Sequence, residues 1–61
     1  MQPPTVREVI GMLDAEGWRL SRVRGDHRQY KKGGRVVTVA GKLSEHLDRG
    51  TWSSVKRSAG W

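Results

Sequence analysis

Two glycine-bearing turns, Gly25-Asp26 and Gly33-Gly34, constrain this chain more than any other feature. They enclose the segment His27 to Lys32, which is too short to form a helix of ordinary length. Gly-Gly readily takes the positive φ angles of a two-residue hairpin loop, so the segment continues directly into a partner strand over 35–39. Before the first turn, Trp18, Leu20 and Arg22 alternate with Arg19, Ser21 and Val23 as a half-buried strand does, with a defect toward Arg22 and Arg24. Three antiparallel strands are therefore expected.

Helical periodicity flanks them on both sides. Thr5-Val6-Arg7-Glu8 is a capping box, and Val6, Val9, Ile10 and Leu13 follow at the spacing of one helical face. Gly17 supplies the stop, while Gly11 inside the helix suggests close packing against another element. Residues 40–50 read as a connecting loop with Leu43 and Leu47 as anchors. Thr51 is placed to cap a last helix from Trp52 to Ala59, which Gly60 ends. The expected fold is α+β in the order α-β-β-β-α, a three-stranded antiparallel sheet with two helices on one face and the other face open. Val6, Val9, Ile10, Leu13, Leu20, Tyr30, Val37, Val39 and Val55 form the expected core.

A chain of 61 residues makes one domain, here taken as 1–61, with a small core and any site at its surface. It contains no cysteine, which excludes disulfides, thiolate metal sites and cysteine nucleophiles and fits the cytoplasm. No apolar run suggests a signal peptide or a membrane span, and no cofactor or metal site is expected. Charge is the stronger constraint. Twelve Lys and Arg against six Asp and Glu leave a formal charge of +6. Arg19, Arg22, Arg24, Arg28, Lys31, Lys32 and Arg35 crowd one stretch whose only acid is Asp26. A nucleic-acid partner explains such a stripe, and so does a solvated sheet face.

Within that stretch lies Gly25-Asp26-His27-Arg28-Gln29-Tyr30. Strand alternation puts His27, Gln29 and Lys31 on one face and Arg28, Tyr30 and Lys32 on the other. With Tyr30 turned to the helices, His27 is exposed among arginines. An imidazole there can act as general acid or base for attack of a ribose 2′-hydroxyl on the adjacent phosphate, while guanidiniums bind that phosphate. It can equally be an ordinary surface histidine in a turn. Asp26 either bonds its own backbone or holds the His27 imidazole, and the first use is the commoner. His46 stands beside Glu45 with no ligand spacing to His27. Trp18 and Trp52 suit the core or its edge better than base stacking, and Trp61 is terminal. Lys56 and Arg57 favour the dipole at the end of the last helix.

The pattern Gly17-Trp18, Gly25-Asp26-His27-Arg28-Gln29-Tyr30, Val37-Thr38-Val39, Leu47-Asp48-Arg49-Gly50-Thr51 and Ser58-Ala59-Gly60 resembles the HicA toxins of bacterial toxin-antitoxin systems. The resemblance runs from Val6 nearly to the end. It implies a double-stranded-RNA-binding-domain-like fold, endoribonuclease activity on mRNA with His27 as the required histidine, and a HicB antitoxin as partner. The chain would be a monomer alone and a hetero-oligomer with the antitoxin. Asp26 stands where the family usually has serine, and Trp52 and Trp61 where it usually has aliphatic residues. Together, residues and resemblance lead to the expectation of a metal-independent RNA-cleaving toxin, with Arg24, Gly25, Arg28 and Lys31 as RNA-binding candidates. The alternative is a non-catalytic RNA-binding module of the same fold.

Overall fold

The computed structural model describes residues 2–61. Its elements are α1 (Val6–Ala15), β1 (Arg19–Arg24), β2 (His27–Lys32), β3 (Arg35–Ala40) and α2 (Arg49–Ala59), in the order read from the sequence. The strands form one antiparallel sheet in the order β1-β2-β3. Among the described residues, no helix is long and apolar enough to cross a membrane.

The capping box forms. Thr5 Oγ1 accepts from the Glu8 backbone N–H at 3.1 Å, and the Glu8 carboxylate accepts the Thr5 N–H at 2.8 Å. The Thr5 N–H and the Thr5 hydroxyl, which both donate to Glu8 Oε1, hold the Glu8 carboxyl below the usual carboxylate range. At the other end, Gly17 N–H bonds Asp14 C=O and Trp18 N–H bonds Leu13 C=O, the paired bonds of a Schellman stop. The last helix ends in the same way, with Gly60 N–H on Arg57 C=O and Trp61 N–H on Lys56 C=O. Each stop delivers a tryptophan back toward the core. Trp18 is buried, whereas Trp61 packs at the core's margin, 6.1 Å from the Trp52 ring. The Trp61 indole N–H donates to Glu16 at 2.8 Å, so the ends of α1 and α2 are tied together.

Three readings need correction. The cap of α2 is Asp48, whose Oδ1 accepts the Thr51 N–H at 2.7 Å, so the helix begins at Arg49 rather than Trp52. Asp48 is a carboxylate acceptor positioned for that amide, and the bond lowers its pKa. Gly11 has open space where a Cβ would lie, so it marks no close approach. Leu20 is 51% exposed and is not core.

The last correction follows from how the layers overlap. Val6, Val9 and Leu13 of α1, Val55 and Ala59 of α2, and Tyr30, Val37 and Val39 of the sheet bury one another, joined by Trp18 and Leu47. Both helices lie on the same face and rest chiefly on β3. Leu20 is opposite Tyr30, which is opposite Val37, so the three form one row across the sheet. Burial along that row falls from β3 to β1. The core is off-centre, and β1 is solvated on both faces.

Candidate functional site

The open face of the sheet is assembled by register. From the Gly33-Gly34 turn, Lys32 faces Arg35, Gln29 faces Thr38 and His27 faces Ala40. From the Gly25-Asp26 turn, Arg24 faces His27 and Arg22 faces Gln29. Directly opposed residues share a face, so Arg22, Arg24, His27, Gln29 and Thr38 come together opposite the helices. They line a concavity of about 190 Å³.

A register shift between Leu20 and Arg22 lets Leu20 face the helices while Arg22 and Arg24 stay on the open face. An extra residue in β1 allows two residues to oppose one on β2, which is a β-bulge. Beyond it Leu20 faces Tyr30 on the helix side and Arg19 faces Lys31 on the open side, although Leu20 and Arg22 are two residues apart in sequence. The bulge accounts for the defect in alternation: strict period two would have put Leu20 and both arginines on one face.

Gly25 opens the turn with φ of 60°, while Asp26 has no positive φ. Positive φ at the first central residue alone is the signature of a type II′ hairpin turn, and it favours glycine there. This turn projects Asp26 beside His27, with Asp26 Oδ1 3.3 Å from His27 Nδ1. Both side chains are more than half exposed, at 55% and 63%, so the contact orients the ring without contributing appreciable stability. The Asp26 carboxylate is thus directed to the imidazole. The Asp26 carbonyl accepts the Gly41 N–H at 3.1 Å, anchoring the turn to the end of β3.

Of the residues expected to bind RNA, Arg24 lies beside His27 and Gly25 forms the turn. Lys31 shares the open face, but four residues along the strand place it roughly 13 Å from His27. Arg28 is not brought to this face. Its Nη1 donates to the Gly41 carbonyl at 3.3 Å on the helix side, half-buried, where it supports the same turn-to-strand junction. Arg22, Gln29 and Thr38 were missed as site residues. Counting back from the Gly33-Gly34 turn would have found Gln29 and Thr38, and counting back from the Gly25-Asp26 turn would have found Arg22.

The rest of the chemistry-bearing residues lie apart. His46 Nδ1 is 2.6 Å from the Pro3 carbonyl oxygen, in the loop that pairs with Thr5. Among the described residues, no three His, Asp or Glu side chains gather where they could share a metal ion. Tyr30 is buried, and burial first, then the Asp14 charge, raises its phenol pKa. Lys56 sits over the Trp52 ring at 5.2 Å, so the aromatic residues are engaged in packing on the helix side.

An antiparallel sheet backed by two helices, with an uncovered face carrying arginines and a histidine, defines a small basic α+β domain. Residues 6–61 match the family described as the HicA toxin of bacterial toxin-antitoxin systems. The chain belongs to that family: it is the toxin of a toxin-antitoxin pair, and an antitoxin is its partner. No curated protein matches it.

Proposed function

We propose that this toxin is an endoribonuclease that cleaves mRNA at the open sheet face with His27 as general acid or base. The observation that carries this reading is the convergence of Arg22 and Arg24 with His27 on a face that neither helix covers. An RNA strand brings its own nucleophile. The 2′-oxygen attacks the adjacent phosphorus, the bond to the 5′-oxygen breaks, and a 2′,3′-cyclic phosphate and a 5′-hydroxyl result. His27 takes the 2′ proton or supplies the proton to the departing 5′-oxygen, and water serves at the other position. Arg22 and Arg24 hold the phosphate and stabilise the charge that develops on its oxygens. Asp26 orients the ring through Nδ1, which leaves Nε2 for the substrate. The toxin works in the cytoplasm, and a HicB-type antitoxin silences it.

A second reading has its own support. The Asp26 carboxylate adds negative charge within 3.3 Å of His27, next to the phosphate position, where the family pattern usually has a neutral serine. That charge opposes an incoming phosphate and favours a protein that binds RNA through the flanking arginines without cutting it.

Cleavage of a long mRNA by the purified protein in chelator, with His27→Ala in parallel and binding measured for both, separates the readings. The nuclease reading expects cleavage by the native chain alone and similar RNA affinity for both. Tight, salt-sensitive binding without cleavage by either would select the binding module. Activity lost in chelator and restored by added metal would overturn the metal-free step.

A further inference from the structure

The open face of the sheet is a grid whose three columns differ in chemistry. Register places Arg24, His27 and Ala40 in one row, Arg22, Gln29 and Thr38 in the next, and Arg19, Lys31 and Val36 in the third. The β1 column is therefore all arginine, and the β3 column carries no charge. Between them β2 presents an imidazole, an amide and an ammonium. Gln29 and Thr38 are the neutral polar groups of the middle row, and both line the concavity beside His27. Among the described residues, neither side chain has a hydrogen-bond partner within the protein.

We propose that Gln29 and Thr38 are a base-reading pair: the substrate is single-stranded RNA whose phosphates follow the arginines of β1, and one unpaired base beside the cleaved bond lies across the sheet onto these two residues. The inference deepens the open-face reading of the RNA site and rests on it. An RNA strand has the same two sides as this face, phosphates along one and uncharged bases along the other. Successive rows are roughly 7 Å apart along the strands, a step that one nucleotide of an extended chain can cover. Two strand spacings, roughly 10 Å, separate the arginine column from Thr38, so a nucleotide whose phosphate sits on Arg22 and Arg24 reaches across Gln29 with its ribose and base. The Gln29 amide holds a donor and an acceptor side by side, and the Thr38 hydroxyl adds one more of each. Base edges present both donors and acceptors, whereas the neighbouring arginines can only donate. The exposed Val36 side chain gives the next base an apolar surface.

A duplex does not match this face. It carries phosphates along both borders, so one strand's phosphates would lie over the uncharged β3 column. Protein side chains read RNA sequence chiefly from unpaired bases that are splayed out of the stack. The chemistry agrees, because the attacking 2′-oxygen must stand in line with the departing 5′-oxygen, and stacking in a regular helix holds the two out of line.

A pool of random single-stranded RNA decamers, bound by the His27→Ala protein so that it stays uncut and then sequenced, tests the pair. One base should be enriched at one position at least about fivefold over the others, the discrimination that a good pair of hydrogen bonds to a base edge supplies. Gln29→Ala with Thr38→Val should flatten that enrichment and leave pool affinity, salt dependence and thermal melt little changed, because the arginines and the core remain. Arg22→Gln should do the reverse, weakening every sequence and keeping the enrichment. Annealing a selected decamer to its complement should weaken its binding at least about tenfold. A flat pool with the His27→Ala protein would overturn the proposal, as would undiminished enrichment in the double variant or equal binding of the duplex. Cleavage is read separately with the native chain. Selection of a base without cutting would end the nuclease reading and keep the pair, cutting without selection would do the opposite, and no binding of the pool at low salt would overturn both.

Discussion

Leu13 and Leu20 are the same residue on two amphipathic elements, and the structure assigns them opposite roles. Leu13 is fully buried and Leu20 is 51% exposed. Truncating a buried leucine to alanine costs about 2–5 kcal/mol, because the lost contacts are joined by a cavity that the surroundings only partly fill. Leu13 is among the largest fully enclosed side chains and belongs to the one cluster that joins α1, α2 and the sheet, so about 3 kcal/mol is expected. For Leu20 only the covered half of the side chain counts, and little cavity can form beside open solvent, so less than about 1 kcal/mol is expected. A domain of 61 residues has a total stability of about 3–9 kcal/mol at ordinary values per residue. Leu13→Ala should therefore leave a marginal fold, and Leu20→Ala a nearly intact one. Urea unfolding followed by tryptophan fluorescence reads both, with an unchanged slope showing that the unfolded state is the same. Equal losses in the two variants would refute the off-centre core, and the free β1 edge with it.

Further expectations concern charge and turns. Replacing Arg22 or Arg24 by glutamine should flatten the plot of log RNA affinity against log salt by about 0.7 per arginine, whereas Arg28→Gln should leave the slope unchanged and lower thermal stability. Asp48→Ala should destabilise α2 near neutral pH. Its pKa is lowered in the fold, so its contribution is complete above the unfolded carboxylate value and is lost as pH falls through the lowered one; native and variant melting temperatures should converge in acid. Tyr30 is shifted the other way. Its raised phenol pKa means that stability is lost as alkaline pH rises through it, which absorbance titration alongside unfolding can follow. Gly60→Ala should cost about 1–2 kcal/mol, since φ of 77° is left-handed and the new Cβ would come within 3.2 Å of the Arg35 guanidinium; no loss in a thermal melt would contradict the helix stop described here.

Element order and the exposure of His27 were legible in the residues because the signals are local. A capping box, a glycine stop and a Gly-Gly turn each act within a few residues, and the structure reproduces all of them. The α2 start was misread because Asp48 and Thr51 are both competent caps by type. Only the backbone geometry shows that the Asp48 carboxylate holds the Thr51 amide. Leu20 was misread for a different reason. Alternation identifies which side of a strand is apolar, but it does not reveal whether a helix reaches far enough to cover it.

The candidate site divides along the same line. His27, Gln29 and Lys31 share a face by the alternation of one strand, and the hairpin count from Gly33-Gly34 carries that face to Thr38. The sequence by itself therefore determined the meander, the basic stripe and the exposure of His27, all of which follow from contacts between near neighbours. Tertiary structure decided the remainder of β1 and the use of Arg28. A bulge turned Leu20 to the helix side while Arg22 and Arg24 stayed on the open face, and Arg28, already on the helix side by alternation, was engaged there by the Gly41 carbonyl. It also decided that β1 is left bare, because the reach of two helices over a sheet depends on how distant side chains pack, and no window of adjacent residues records that.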